Sequence, residues 1–167
     1  YKAMKDRYGE PTSIKDYCDK MQLVNADGYR GIFEAPGHKL NETGGVMLWK
    51  LNAAFPSVVW QVYDWYLEPN AGYYFMQNAC EQMHVQLNLD DSMVAVINRT
   101  YQTKSNLTVF AEVLDINGKS LYHETKKLNI DTIGAKEVLA LSSVLSKQQD
   151  VVFVVLQLKD AAGKTIS

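Results

Sequence analysis

Trp49 and Asn52 stand three residues apart in "GGVMLWKLNAAFP", and that pair of residue types has a definite chemistry. An indole face stacks on the axial C–H groups of a sugar ring, and a carboxamide can both donate to and accept from a sugar hydroxyl. If residues 44–51 form a parallel strand, both side chains fall at its carboxyl end, where α/β folds assemble their sites. Two readings of Trp49 stand open on the residues alone: a sugar platform, or a core indole sealing a domain boundary. Other candidates are weaker. Glu34 falls on the last turn of a helical pattern and Asp64 lies among aromatics, and neither has a convincing carboxylate partner. Helix-end and loop-capping roles account for both. His38, His84 and His123 show no metal-ligand spacing to one another or to Cys18 and Cys80. Gly-x-Gly-x-x-Gly, P-loop, His-Glu-x-x-His and Gly-x-Ser-x-Gly motifs do not occur. No catalytic residue, metal ligand or cofactor is assigned. Sequons at Asn41, Asn98 and Asn106 carry no assigned function either.

Composition narrows the class of protein. Apolar residues make up 47% and charged residues 22%, the balance of a globular chain rather than a disordered one. A net charge of −2 with no basic cluster argues against a nucleic-acid partner. Apolar runs such as residues 151–156 are far shorter than the roughly 20 residues of a membrane span, which argues against a membrane partner. The opening "YKAMKDRYGE" is charged where a signal peptide is apolar and lacks an initiating Met, as expected of an excised fragment. Both cysteines fall in helical patterns beside apolar neighbours and read as buried free thiols.

Two compositions divide the elements that must position these residues, with the boundary at 82/83. In the first part Ser13 is an N-cap, with Asp16 three residues on as a weak capping box. Ile14, Tyr17, Cys18, Met21, Val24, Tyr29 and Ile32 then recur at helical spacing, and Pro36-Gly37 ends the helix. Residues 44–51 read as a strand covered on both faces, followed by a helical stretch over 70–80. Trp60, Tyr63, Trp65, Tyr66, Tyr73, Tyr74 and Phe75 read as packing. The second part gives six strands, at 84–89, 94–99, 107–115, 120–128, 137–141 and 151–158, with Asn117-Gly118 predicting a type I′ hairpin. Such spacing predicts an antiparallel sandwich of immunoglobulin type that lacks its last strand and leaves an open edge.

The run "GGVMLWKLNAAFPSVVWQVYDWYLEPNAGYYFMQNACEQMHVQLNLDD" resembles the junction after the barrel in glycoside hydrolase family 2, in its exo-β-D-glucosaminidase and β-mannosidase branches. There "W-x-L-N-x-x-W/F-P-S-x-x-W-Q-x-Y-D-Y/W-Y-L" precedes "A-C-E-P-x-H-V-Q". Here Phe55 stands where Trp is usual, and Gln82-Met83 replace Pro and an apolar residue. The resemblance implies a fold that is mainly β with α: a helix–strand–helix remnant of a (β/α)8 barrel over 1–82, then the immunoglobulin-like sandwich over 83–167. It implies a parent that cleaves terminal β-glucosaminides or β-mannosides with retention, through two glutamates on earlier barrel strands, so that this fragment alone is inactive. It also implies a carbohydrate partner, a substrate-facing Trp49, Asn52 lining the same pocket, and a periplasmic or extracellular parent. A carbohydrate-binding module and a purely structural domain are the alternatives. Aromatics left without barrel partners, together with the open sheet edge, lead us to expect self-association.

Overall fold

The computed structural model describes residues 1–56 and 61–167. Trp60 lies outside the described residues. The chain divides into two compact units: Tyr1–Phe33 with Gly45–Cys80, and Glu34–Gly44 with Glu81–Ser167.

The first unit is helical. Helix α1 (Lys2–Tyr8) precedes α2 (Ile14–His38), whose final turn, from Glu34 on, belongs to the second unit. The Ser13 hydroxyl caps α2 by accepting from Asp16 N at 3.1 Å, as its sequence position predicts. The reciprocal half of the box is displaced by one residue, because the Asp16 carboxylate accepts from Thr12 N at 2.8 Å. Pro36 does not stop the helix, which runs on to His38. In a last turn a proline costs only one hydrogen bond, and Lys39 N still reaches Ala35 O at 3.2 Å. At Gly37 a Cβ would lie 2.9 Å from Arg99 Nη2 and 3.0 Å from Gln86 Oε1, the mobile ends of two long side chains. Helix α3 (Ala71–Ala79) is capped by Asn70, whose side chain accepts from Tyr73 N.

The strand expected over 44–51 does not form. Met47 is 96% exposed and Trp49 81% exposed, and at the segment's end Leu51 O accepts from Tyr63 N at 3.0 Å. A parallel strand depends wholly on partners distant in sequence, and no described strand lies alongside this one. Cys18 and Cys80 are free, as expected, but exposed rather than buried. The helical spacing that placed Cys18 beside apolar neighbours does not by itself bury a residue on the margin of the stripe.

The second unit carries all six predicted strands: β1 (Met83–Leu87), β2 (Met93–Asn98), β3 (Lys104–Asp115), β4 (Ser120–Ile130), β5 (Gly134–Ala140) and β6 (Val152–Lys159). They form two antiparallel three-stranded sheets, β1-β2-β5 and β4-β3-β6. Alternation is clearest on β3, where Leu107, Val109, Ala111 and Val113 are buried every second residue. These meet Val85, Val94 and Val96 of the other sheet, with Leu139, Leu141 and Leu158, in one apolar core. A short helix, α4 (Ser142–Leu145), joins β5 to the segment before β6. No helix among the described residues is long and apolar enough to cross a membrane.

The β3–β4 turn is not type I′. Gly118 takes positive φ (79°) but Asn117 does not, and Gly118 N donates to Asp115 O at 3.0 Å. The Asp115 carboxylate decides the outcome by accepting from Asn117 N at 2.8 Å and Lys119 N at 2.9 Å. The ladder shifts register beside it, between Val113 and Leu114, as in a three-residue hairpin with a bulge.

Candidate functional site

Three segments of the first unit frame Trp49 and Asn52. Asn52 forms a parallel bridge with Tyr63, and Tyr63 an antiparallel one with Pro69. Asn70 ties the return together: its backbone N donates to Val62 O at 3.0 Å and its side-chain Nδ2 to Gln61 O at 2.5 Å. The Asn52–Tyr63 bridge thus holds the segment bearing the candidate pair against the start of the aromatic turn.

That turn, Asp64-Trp65-Tyr66-Leu67-Glu68, repeats the geometry of two turns in the second unit. Asp64 Oδ1 accepts from Tyr66 N at 2.8 Å and Glu68 N at 3.0 Å, as Asp115 does in its turn and Asp160 does for Ala162 N and Lys164 N. The fourth position is Gly118 and Gly163 in the other two, but Leu67 here, at φ 63°. A branched residue in the left-handed region is costly, by about 1–2 kcal/mol. The turn displays Trp65 and Tyr66, 47% and 75% exposed. Asp64 therefore has the loop-capping role that its position also allowed.

Behind the turn, Tyr63 and Tyr73 sit with ring centroids 5.3 Å apart, and Tyr73 meets Tyr74 edge-on at 5.3 Å. The hydrogen bond to Tyr73, followed by burial, holds the Tyr63 hydroxyl above the usual phenol range. A cavity of about 580 Å³ runs between the apolar stripe of α2 (Tyr17, Met21, Val24, Tyr29) and Tyr63 with Asp64. The expected packing role of the aromatics thus suits Tyr63 and Tyr73, while Trp65, Tyr66 and Tyr74 face solvent.

Trp49 is too exposed to belong to this chain's own core. Its peptide bond to Lys50 is cis. Asn52 is exposed as well, with Nδ2 donating to Ala53 O at 3.3 Å. Glu34 falls in the second unit, where its Oε1 lies 3.3 Å from His84 Nε2. His84 is 5% exposed and its Nδ1 lies 3.2 Å from Glu81 Oε2 and 3.3 Å from Ser167 Oγ. Of the sequon residues, Asn98 is wholly buried, donating to Gln102 O and Asp131 O, whereas Asn41 and Asn106 are exposed. Spacing among His and Cys could not reveal one grouping that the fold creates, His38 beside Asp90 and Asp91.

No protein-family model matches the chain. It is 34% identical over 170 residues to an exo-β-D-glucosaminidase of Arthroderma benhamiae, covering 99% of this chain and 19% of that protein. To the mannosylglycoprotein endo-β-mannosidase of Lilium longiflorum it is 31% identical over 164 residues, covering 95% of this chain and 17% of that protein. The crystal structure of the exo-chitosanase CsxA of Amycolatopsis orientalis superposes with a TM-score of 0.86 at 27% identity, over 99% of this chain and 20% of CsxA. The resemblance carried by the Gly44-to-Asn88 run therefore extends over nearly every residue. The chain is a relative of the exo-β-D-glucosaminidase and β-mannosidase branch of glycoside hydrolase family 2, and spans about a fifth of the length of the curated relatives it matches.

Proposed function

We propose that this chain is the end of the (β/α)8 barrel and the following immunoglobulin-like sandwich of a retaining glycosidase. That enzyme acts on terminal β-glucosaminide or β-mannoside linkages. The observation that carries the reading is end-to-end similarity to glycosidases five times as long, with the W-x-L-N run inside it. In the whole enzyme Trp49 offers an indole face to the sugar and Asn52 a carboxamide to one of its hydroxyls. The chain alone is inactive. Retention needs two carboxyl groups about 5–5.5 Å apart across the scissile bond. The two acidic residues singled out in the sequence have other work, since Asp64 caps its turn and Glu34 meets His84. The sandwich supports the barrel, and the parent works in the periplasm or outside the cell.

Hydrolysis of nitrophenyl β-glucosaminide, β-mannoside and β-galactoside by this chain and by the full-length parent tests the reading. A silent chain beside a parent active on one of the first two is the expected result. Turnover by the chain alone overturns the inactivity, and a parent active only on the galactoside overturns the substrate class. We also propose that the isolated chain self-associates through Met47, Trp49, Phe55 and Tyr66, all more than half exposed. Light scattering that stays monomeric over a wide concentration range overturns that proposal.

A further inference from the structure

We infer that the second unit holds a divalent transition-metal site, of the kind that takes Zn²⁺, built from His38, Asp90 and Asp91. One imidazole nitrogen and one oxygen from each carboxylate all lie within 4.8 Å of one another. Imidazole nitrogen and carboxylate oxygen are both zinc ligands, and three protein ligands leave the fourth tetrahedral position to water. Calcium and magnesium prefer oxygen alone, so the imidazole is what selects the metal.

Three features of the surroundings favour a cation there. Glu137 brings a third carboxylate, its Oε1 3.6 Å from His38 Nε2, where it can orient the ring or join the coordination sphere. Three carboxylates thus lie close to one imidazole. Such crowding of like charge is unfavourable until a cation enters. His38 is also the last residue of α2, where unpaired carbonyls concentrate negative potential, and its side chain is only 16% exposed. The ligands come from the end of α2 and the β1–β2 turn, with Glu137 on β5, so a bound ion ties the helix end to one sheet.

Calorimetric titration of the full chain with ZnCl₂, and separately with CaCl₂, tests the site. One Zn²⁺ per chain is expected, weakened about tenfold or more in His38→Ala and in the double variant Asp90→Asn/Asp91→Asn, with a Zn²⁺-dependent rise in Tm that both lose. Asp90 and Asp91 are exposed turn residues, so the double variant stays informative if His38→Ala does not fold. No heat up to about 1 mM Zn²⁺ overturns the proposal. So does Zn²⁺ binding of unchanged strength in both variants, which points to the exposed thiols, and so does Ca²⁺ binding tighter than Zn²⁺. None of these readouts depends on glycosidase activity.

Discussion

The β3–β4 hairpin reads as strands from alternation and turn residues and the segment over 44–51 from an apolar run, yet only the hairpin forms them. Asp115 and Gly118 bring β3 and β4 together through a turn of a few residues, and the ladder then closes locally. Among the described residues no strand pairs with the 44–51 segment, and Met47, Trp49 and Leu51 are exposed. Hydrophobic composition marks a segment that must be covered. It does not supply the cover.

Substitution should divide the two regions sharply. Leu158 is wholly buried in the shared core of the two sheets, so Leu158→Ala should cost about 2–5 kcal/mol in urea denaturation. Trp49→Ala removes a larger side chain yet should cost within about 0.5 kcal/mol, because the indole is already exposed. In the full-length enzyme the same Trp49→Ala should raise KM or lower kcat on the active substrate. A Trp49 variant as unstable as the Leu158 variant would mean that the aromatic segment packs in solution, and the contrast would fail.

The next effect lies in the polar interior of the second unit. His84→Ala leaves Glu34 and Glu81 without their shared imidazole in a half-closed setting and should cost about 1–3 kcal/mol. His84→Gln should recover part of that loss. A cost below about 0.3 kcal/mol in chemical denaturation would show the contacts to be incidental.

The antiparallel strands were legible in the sequence because alternation and turn residues report a local event, as β3 shows. Helix α2 was legible for the same reason, down to the Ser13 cap. The type I′ assignment failed because two turn geometries accept Asn-Gly, and the choice between them was made by the Asp115 carboxylate, two positions before Asn117. The grouping of His38 with Asp90 and Asp91 was invisible because its members are some fifty residues apart and meet only through the fold. Trp49 and Asn52 were singled out by residue type and by the family run they belong to, not by periodicity.

The three aspartate-capped turns give a finer comparison. Leu67→Gly should stabilise the first unit by about 0.5–1 kcal/mol, since relief of left-handed strain outweighs the added freedom of glycine in the unfolded chain. Gly118→Ala should destabilise the second unit by about 1 kcal/mol, since φ 79° disfavours any Cβ although nothing crowds it. Opposite shifts in Tm for the two variants are expected. Equal signs would show that the turns are not equivalent.

The smallest effect compares two tyrosine–glutamate pairs, one in each region. The Tyr122 hydroxyl donates to Glu124, and that bond, ahead of burial, pushes it up to about 12. Tyr1 donates to Glu10 and is shifted the same way for the same first reason, but from a terminal residue 60% exposed. A phenol whose folded pKa is raised stabilises the fold fully below its unfolded value of about 10, and that contribution is lost as pH rises through the folded value. Solvent screening keeps the amount small at both sites. Tyr122→Phe should therefore flatten the fall in stability between about pH 10 and 12, while Tyr1→Phe should leave that limb nearly unchanged. The Tyr122 bond also helps Lys126 hold the Glu124 carboxyl below its usual range, Lys126 being the stronger influence. Stability from that carboxylate is present above its unfolded pKa and lost on acidification, so Tyr122→Phe should soften the acid limb too. An acid limb unchanged beside a flattened alkaline one would assign the carboxylate's shift to Lys126 alone.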